Sequence, residues 1–369
     1  MKIPLIKPYL PKGTVEAVTA VLESGYLTEG PITSEFESKA AEYLNCKHTI
    51  AVTSCTTGLE LALRALGIGA GDEVIVPDYT YPATASAVAI VGATPVIVDI
   101  DRNTMNICYD AVESAITENT KVIMPVSLFG NPLDYNRLNK IKLRCNLLII
   151  EDAACSFGAE YNGEKIGNQA DITVFSCHPR KFLTTGEGGI VATNNSDWAE
   201  WMNSYKHFGM NMSPAVRGDV SFEIIGTNYK LSNILAAVGL EQLKIVDELL
   251  TRRQELAGNY LKLLDEVNAE LFGVKLPTIV KGSVHSYQTF CVFVDNRDEI
   301  MKAMRKKGIE AQIGTYSLHM HKAFEVYLDT QAKYTNSSYA FEHCLALPLY
   351  HEMTMEEQVY VIETLVGLL

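Results

Sequence analysis

The sequence has no CxxC cysteine pair, and its first residues do not predict a secretory signal. Its 369 residues include eight cysteines, none of them in a CxxC pair, and the amino-terminal stretch MKIPLIKPYLPKG contains no apolar signal core. Scattered cysteines of this kind are typical of proteins in a reducing compartment, where disulfides are rare. We therefore expect a cytoplasmic protein.

An excess of positive charge is also missing. Lysine and arginine number 31 against 44 aspartates and glutamates, giving a formal net charge of −13. This balance argues against nonspecific binding to nucleic acid or to anionic membrane surfaces. We expect neither nucleic acid nor a membrane among its partners.

The chain shows no internal repeat and no low-complexity linker, and its length allows two domains.

The longest uncharged run is interrupted. Residues 79–98 carry no charge, which is enough to span a bilayer, but Pro82, Gly92 and Pro95 lie within the run. The run therefore predicts a buried helix, a turn and a strand.

Signatures of nicotinamide and metal binding are missing as well. The segment GIGAGD, Gly67–Asp72, follows a helical stretch and precedes a strand, which is the reverse of the dinucleotide-binding context. His319 and His321, with His343 and His351 downstream, lack carboxylates at a recognisable ligand spacing. We expect no nicotinamide cofactor and no metal.

From about residue 49, short apolar segments alternate with helical stretches. EVIVP, TPVIVDI and LLIIED are such segments, and their alternation with helices predicts parallel βαβ units around a buried sheet. DITVFS and GGIVAT have no full helix between them, so at least one edge or antiparallel strand is expected. Before this region, a helix is predicted from Thr14 to Glu23, with Thr14 as its N-cap.

The pattern changes near residue 230. Apolar residues at three- and four-residue steps run through Lys230–Leu264 without proline and predict a long connecting helix. Beyond it, YQTFCVFVD, DEIMKAMRKKG and MEEQVYVIETLVGLL suggest a small α+β domain. We predict an amino-terminal segment and a large α/β domain over residues 1–245. The connecting helix and the small domain would occupy residues 246–369.

The candidate chemistry centres on one lysine. The segment FSCHPRKFLTTGEGG places Lys181 between a strand-like approach and a glycine-rich turn. A lysine that is partly desolvated, or whose pKa is lowered by its neighbours, supplies a free amine that attacks carbonyl carbon. Most lysines beside a glycine turn are simply exposed, so this segment alone leaves both interpretations open.

Three other features fall at the same predicted edge of the sheet. Asp152 ends the strand LLIIED, where a carboxylate could keep a heteroaromatic nitrogen protonated or could cap the next turn. The segment TSCTTG, Thr53–Gly58, joins a strand to a helix, and its amides could bind an anion or serve as an ordinary cap. Tyr81 follows EVIVP and could stack on a cofactor ring or be a core or surface tyrosine.

Taken together, these segments resemble a known family. The similarity lies in the order and wording of VTSCTTGLELALRALGIGAGDEVIVPDYTYPATASAV, GATPVIVDID, EDAACSFGA, FSCHPRKFLTTGEGG and GTNYKLSNILAAVGLEQL. They look like the DegT/DnrJ/EryC1/StrS family of sugar aminotransferases, over nearly the whole chain. The resemblance implies a type I aspartate-aminotransferase fold, with a large mixed, mostly parallel sheet and a smaller C-terminal α+β domain. It also implies a pyridoxal 5′-phosphate cofactor and a homodimer with active sites at the subunit interface.

The resemblance further implies roles for single residues. Lys181 would hold the cofactor as a Schiff base, Asp152 would pair with the pyridine nitrogen, and Tyr81 would stack on the ring. The other implied cofactor contacts are the backbone amides of Thr56 and Thr57 and the side chain of Ser176 at the phosphate, Asn228 from the neighbouring subunit, and Cys155, which stands where many relatives carry His or Gln.

The implied activity is transfer of an amino group, from L-glutamate, to a keto sugar. Family substrates are usually nucleotide-linked 4-keto-6-deoxy or 3-keto sugars, and the product would be an amino sugar for a surface polysaccharide or a glycosylated metabolite. A sugar without a nucleotide, or a small aldehyde, is an alternative. Arg180, Tyr316 and His319 are candidates for contacting the sugar or the donor carboxylate.

Two other functions are alternatives. Dehydratases of the family carry histidine in place of the lysine, whereas here Lys181 is present and His178 lies three residues before it, which favours aminotransfer. A non-catalytic regulatory or binding protein with this fold would be expected to lose Lys181 or Asp152, and both are present.

Overall fold

The computed structural model describes residues 2–211 and 219–369. Its strands are β1 (His48–Val52), β2 (Glu73–Pro77), β3 (Tyr79–Thr80), β4 (Thr94–Val98), β5 (Thr120–Ile123), β6 (Leu148–Asp152), β7 (Glu160–Tyr161), β8 (Glu164–Lys165), β9 (Ile172–Ser176), β10 (Gly189–Thr193), β11 (Ser283–Val284), β12 (Phe290–Phe293), β13 (Gln312–Ile313), β14 (Tyr316–Ser317) and β15 (Cys344–Leu347).

Its α-helices are α1 (Thr14–Ser24), α2 (Pro31–Leu44), α3 (Cys55–Ala65), α4 (Ala83–Ile90), α5 (Tyr109–Ala115), α6 (Tyr135–Cys145), α7 (Ser196–Lys206), α8 (Asn233–Lys244), α9 (Val246–Glu266), α10 (Arg297–Lys306), α11 (Thr335–His343) and α12 (Met355–Val366). Short 3-10 helices lie at Leu128–Gly130, Ala269–Phe272, Leu318–Met320 and Lys322–Tyr327.

A seven-stranded sheet forms the centre of the large unit, in the order β1-β10-β9-β6-β5-β2-β4. The strands from β9 to β4 are parallel to one another, whereas β10 runs antiparallel to both β1 and β9. The expected mixed, mostly parallel sheet is confirmed. Parallel strands all end at one edge, so the loops after β2, β6 and β9 meet there.

Helices cover both faces of this sheet, which is why its strands are apolar on both sides. One core cluster contains Phe36 of α2 and Leu138 of α6, and the other contains Leu59 of α3 and Val88 of α4. Side chains of one strand alternate between the two clusters, as Ile75 and its neighbours in β2 do.

The uncharged run at residues 79–98 packs against the central sheet and is only partly buried. It contains β3, α4, a turn at Gly92 with φ of 88°, and β4. The predicted helix, turn and strand are therefore confirmed. Within the described part of the chain, no helix is both long and apolar enough to cross a membrane.

The N-cap predicted for the first helix is wrong. Gly13 is the N-cap of α1, and Thr14 is already its first helical residue. The hydroxyl of Thr14 is buried and makes no hydrogen bond to the described residues. Thr14 is thus a buried residue of the first turn of α1 and not its cap.

The long connecting helix is also divided into two. Helix α8 ends at Lys244, and α9 begins at Val246 after Ile245, whose φ of −121° is not helical. The two helices pack on different partners: α8 lies against α1 and α2, whereas α9 lies against α12. The chain bends at Ile245 because the apolar side chains of α8 and those of α9 pack against different helices.

The C-terminal unit is a small α+β structure. Strands β12, β15 and β13 form an antiparallel sheet, and α9, α10 and α12 pack with it around a separate core. The chain start also joins this unit, because Ile3 exchanges backbone hydrogen bonds with Gly308 and Glu310 at 2.8 and 2.9 Å. The predicted division at residues 245 and 246 coincides with the break between α8 and α9, and the domain assignment stays a prediction.

Candidate active site

Lys181 lies in the irregular segment between β9 and β10. Its backbone amide donates to His178 O at 2.8 Å, so the chain turns just before it. Its Nζ donates to Cys155 Sγ at 3.2 Å, which places the amine beside the loop that follows β6. The side chain is half-buried rather than free in solvent.

The charges around Lys181 differ from the expectation drawn from the sequence. Burial by itself would lower the pKa of the ammonium, but Cys155, Cys55 and Asp152 oppose this effect and hold the pKa above its ordinary value. In the cofactor-free protein these neighbours therefore favour the ammonium form. A cation paired with Asp152 would remove part of their effect.

Asp152 ends β6 at the carboxyl edge of the sheet and is almost fully buried. The Thr84 hydroxyl donates to Oδ2 at 2.7 Å, and the Ala154 amide donates to Oδ1 at 3.1 Å. Burial raises the pKa of this carboxyl, while these hydrogen bonds and Lys181 oppose the rise. Fixed hydrogen-bond donors thus orient the carboxylate, but they do not fully offset the cost of burying its negative charge. A carboxylate in this state is suited to pair with a cation.

The amino terminus of α3 lies next to Asp152. Cys55, the first residue of α3, places its Sγ 4.0 Å from Asp152 Oδ1. Ser54 is the N-cap, and its hydroxyl accepts from the Thr57 amide at 3.1 Å. The amides of Cys55 and Thr56 remain at the open helix end, where an anion binds well. A phosphate would take the Thr57 amide only by displacing the Ser54 hydroxyl.

Gly189 allows β10 to pass close to this helix end. A Cβ at residue 189 would lie 2.7 Å from Ser54 C and 2.8 Å from Cys55 N. These are backbone atoms, which cannot turn aside as a flexible side chain does. Gly189 pairs with Ser176 at the end of β9, so the predicted phosphate-binding serine lies on the same rim of the sheet.

Tyr81 stands at this edge with its ring exposed, at 64% of its full accessible area. The Thr84 amide donates to Tyr81 O at 3.2 Å, so Tyr81 lies one turn from the residue that orients Asp152. The Tyr316 ring is 6.2 Å away between centroids, because β14 pairs with β3. Two aromatic rings therefore border the site, and the exposed face of Tyr81 can cover a cofactor ring.

His319 is mostly buried and already engaged. Its Nδ1 donates to Asp78 Oδ2 at 2.6 Å, its Nε2 lies 3.2 Å from the Ser338 hydroxyl, and its ring stacks on Tyr334. Asp78 is fully buried and also accepts from the Ser337 hydroxyl. These contacts tie the segment after β14 to the end of β2. Contact between His319 and a substrate stays a prediction, and it would require one of these bonds to open.

Two further predicted residues lie at the periphery. Arg180 is exposed, one position before Lys181. Asn228 is exposed too, and the carbonyl of the next residue, Tyr229, accepts from Thr53 N at 3.1 Å. The segment around Asn228 therefore borders the end of β1, where the predicted anion site begins.

Thr84, Ser54 and Asp78 contribute to this region although the sequence-based predictions omit them. Ser54 has a local signal, a hydroxyl residue just before an apolar helix with Thr57 three positions later. Thr84 and Asp78 have none, because their partners Asp152 and His319 are 68 and 241 positions away.

The donor set fits pyridoxal 5′-phosphate. The site combines an amine at Lys181, an incompletely compensated carboxylate at Asp152, an open helix amino terminus for the phosphate, and an exposed aromatic face at Tyr81. Residues 2–211 and 219–369 contain no group of three or more His, Cys, Asp or Glu that could hold a metal ion.

Comparison with known proteins agrees with this geometry. The model of the DegT/DnrJ/EryC1/StrS aminotransferase family matches residues 8–366. The chain is 33% identical to the spore coat polysaccharide biosynthesis protein SpsC of Bacillus subtilis, covering 98% of this chain and 95% of SpsC. It is 38% identical to the GDP-perosamine synthase of Caulobacter vibrioides, covering 86% of each.

A solved structure is similar over the same extent. The PMP form of a putative sugar aminotransferase from Streptococcus pneumoniae superposes with a TM-score of 0.92 at 30% sequence identity, covering 99% of this chain and 98% of that one. The expected fold class is confirmed.

Proposed function

The chain belongs to the DegT/DnrJ/EryC1/StrS aminotransferase family, and from this premise we propose that it transfers an amino group from L-glutamate to a nucleotide-linked keto sugar. It is a pyridoxal 5′-phosphate-dependent aminotransferase of the sugar aminotransferase type. The observation that carries the proposed site is the meeting of Lys181, Asp152 and the amino terminus of α3 at one sheet edge.

Each of these groups has a distinct task. When bound, pyridoxal phosphate supplies an electron sink that stabilises negative charge on the carbon bearing the amine. Asp152 holds a proton on the ring nitrogen, and the α3 amino terminus binds the phosphate. Lys181 anchors the cofactor's carbonyl carbon and, once free, moves a proton at the α-carbon of the donor.

The pKa of Lys181 links two of these tasks. In the cofactor-free protein burial lowers the pKa of Lys181, and Cys155, Cys55 and, with a smaller effect, the Asp152 carboxylate raise it above its ordinary value. Asp152 would pair with the protonated ring nitrogen of a bound cofactor, and the carboxylate would then hold the Lys181 proton less strongly.

The substrate proposal is supported by the rim of the site. Tyr81 and Tyr316 present exposed aromatic surface, and Arg180 places a cation one residue from Lys181. Aromatic surface and a cation both suit a substrate that carries a ring and a phosphate. The GDP-perosamine synthase of C. vibrioides has a GDP-linked sugar in its name, and SpsC is named for polysaccharide biosynthesis. By that analogy the product is an amino sugar for a surface polysaccharide or a glycosylated metabolite.

Absorbance spectroscopy tests the activity and the substrate class. Protein loaded with pyridoxal phosphate is expected to show a visible band that L-glutamate bleaches, and a keto sugar that accepts the amine restores it. A panel of keto sugars, each with and without its nucleotide, identifies the substrate class. If every nucleotide-linked sugar fails while a free sugar or a small aldehyde restores the band, the proposed class is wrong. If glutamate leaves the band unchanged, the proposed donor is wrong.

We also propose a homodimer with shared active sites. Asn228 is exposed, and around its segment lie five exposed apolar side chains. They are Tyr26, Leu27, Phe208, Phe222 and Ile225. Backbone hydrogen bonds place them together, since the Asn233 amide donates to Leu27 O and the Phe208 amide donates to Thr227 O. An apolar patch beside a predicted phosphate contact is explained if a second copy covers it.

Ile225→Asp tests the dimer, because Ile225 is 96% exposed in the single chain. Sedimentation velocity is expected to show a dimer for the natural protein and a monomer for the variant, with weaker cofactor binding. Leu143→Asp, on α6 and 81% exposed, is the matched control and should remain dimeric. A monomeric natural protein, or a dimeric Ile225→Asp variant that binds the cofactor normally, contradicts this interface.

A further inference from the structure

Gln288 holds the peptide groups on both sides of Lys181. Its Nε2 donates to Arg180 O at 2.8 Å, and the Phe182 amide donates to its Oε1 at 3.1 Å. The amide of the Gln288 side chain thus supplies one donor and one acceptor to the backbone of residues 180–182, as the backbone of a neighbouring strand would. The contact joins positions more than 100 residues apart, and Gln288 belongs to the C-terminal unit. Its side chain is buried.

Gln288 is itself held in place by a buried arginine. Arg253, on α9, donates from Nη2 to Gln288 O at 2.7 Å and from Nε to Tyr287 O at 2.9 Å. Its guanidinium is buried and lies 5.7 Å from the centre of the Phe182 ring. Desolvation lowers the pKa of Arg253 to about 10, which leaves it charged at neutral pH. The support therefore runs from α9 through Gln288 to Lys181.

The same short segment supports the other side of the site. The Ser286 hydroxyl donates to Cys155 O at 3.1 Å, and the Ser286 amide donates to Gly130 O at 3.0 Å. Cys155 Sγ accepts from Lys181 Nζ. Residues 286–288 therefore contact both loops whose side chains meet at the amine.

Such support matters because the lysine segment has no regular secondary structure. Residues 177–188 lie between β9 and β10 without helix or strand pairing of their own. Lysine has a flexible side chain, so the position of Nζ depends on a fixed backbone, and an error of about 1 Å in a reacting group costs on the order of 10²-fold in rate. An amide that binds residues 180 and 182 at once restrains the peptide units that flank Lys181.

We propose that Gln288 is a positioning residue for Lys181, through which the C-terminal unit orients the reactive amine. The inference rests on the proposed role of Lys181 as the lysine that holds the cofactor. Gln288 does not itself touch the reacting atoms. Its substitution should therefore change the environment and the rate of the lysine without removing substrate contacts.

The test compares Gln288→Met with Gln358→Met in the full-length protein loaded with pyridoxal phosphate. Methionine matches glutamine in length and removes both hydrogen bonds. Gln358 is a buried glutamine that donates to Leu256 O at 2.7 Å and accepts from Asn259 at 3.2 Å, within the C-terminal unit. Both variants lose comparable buried hydrogen bonds, but only Gln288→Met affects the lysine segment.

Three measurements are made: kcat, KM, and the midpoint of the pH titration of the visible absorbance. For Gln288→Met we expect a kcat about 10- to 100-fold lower, with KM little changed and a shifted titration midpoint. For Gln358→Met we expect the natural midpoint and kcat. Gln288→Glu keeps an acceptor for the Phe182 amide and loses the donor to Arg180 O, so its kcat should lie between those of the natural protein and Gln288→Met.

The outcomes separate this inference from the function on which it rests. If Gln288→Met does not fold, Gln288→Glu gives the same comparison with one bond retained. Natural midpoints and rates in the folded Gln288 variants, or equal changes in Gln358→Met, overturn the positioning role while the aminotransferase proposal stands. If natural protein shows no visible band with the cofactor, the proposed role of Lys181 and the inference both fail.

Discussion

Lys181→Ala is expected to lower kcat/KM for amino transfer by roughly 10⁴-fold or more, because one side chain performs both covalent anchoring and proton transfer. The amine lies 3.2 Å from Cys155 Sγ and close to Asp152, at the edge where the cofactor ring would bind. Alanine leaves both neighbours in place and removes the only atom proposed to act on the donor. The rate is measured with L-glutamate and the sugar identified by the panel.

Two controls distinguish loss of the amine from loss of charge. Lys181→Arg keeps a cation near Asp152 but cannot supply a free base, since guanidinium stays protonated. It should be as inactive as Lys181→Ala. Lys302→Ala, an exposed lysine on α10, should retain natural activity. A fully active Lys181→Ala variant would exclude the proposed mechanism.

Asp152→Asn is the second substitution with a large expected effect. Removing one partner of a buried ion pair costs about 3–5 kcal/mol, which corresponds to roughly 10²- to 10⁴-fold in kcat/KM if the pair matters equally in the transition state. Asparagine keeps the shape and still accepts from the Thr84 hydroxyl, which lies 2.7 Å from the carboxylate. The fall in kcat/KM would therefore measure the contribution of the negative charge that faces the ring nitrogen.

Thr84→Val provides the graded comparison for Asp152→Asn. It removes one donor to the charged group, worth about 1.5–3 kcal/mol, and so should lower kcat/KM by roughly 10- to 100-fold. An Asp152→Asn enzyme that is no slower than Thr84→Val would contradict the ion-pair role of Asp152.

The pKa of Asp152 makes a separate prediction for stability. Burial raises its folded pKa above the unfolded value. A carboxyl whose pKa is higher in the folded state stabilises the fold at pH values below its pKa in the unfolded chain. This stabilisation is lost as the pH rises through the pKa of the folded state. At neutral pH the ionised carboxylate therefore gives the cofactor-free protein no such stabilisation. Asp152→Asn should leave the cofactor-free protein at least as stable, yet diminish the rise in Tm that pyridoxal phosphate gives.

Local patterns in the sequence predict much of the fold. Alternating apolar and helical segments predict the mostly parallel sheet because strand and helix periodicity are local properties. The segment around Lys181, the strand that ends at Asp152 and the helix start after Thr53 follow from the same local signals. Their joint order is what resembles the family, and the family match over residues 8–366 confirms it.

Other features depend on contacts between distant parts of the chain. The break at Ile245 arises because α8 and α9 pack on different helices, and no proline lies in that stretch. His319 binds Asp78 from 241 positions away, so this predicted substrate contact also connects two distant segments. Spacing in the sequence cannot report such pairs.

The sequence by itself determined the fold class and the family and led to the proposal of Lys181 as the reactive lysine, because these depend on local patterns and on their order. Only the tertiary structure decided that acidic neighbours raise the pKa of Lys181 and that Gln288 binds both of its flanking peptides. The physical reason is that a pKa and a hydrogen bond depend on atoms close in space, and folding brings Gln288 to residues 180 and 182 from more than 100 positions away.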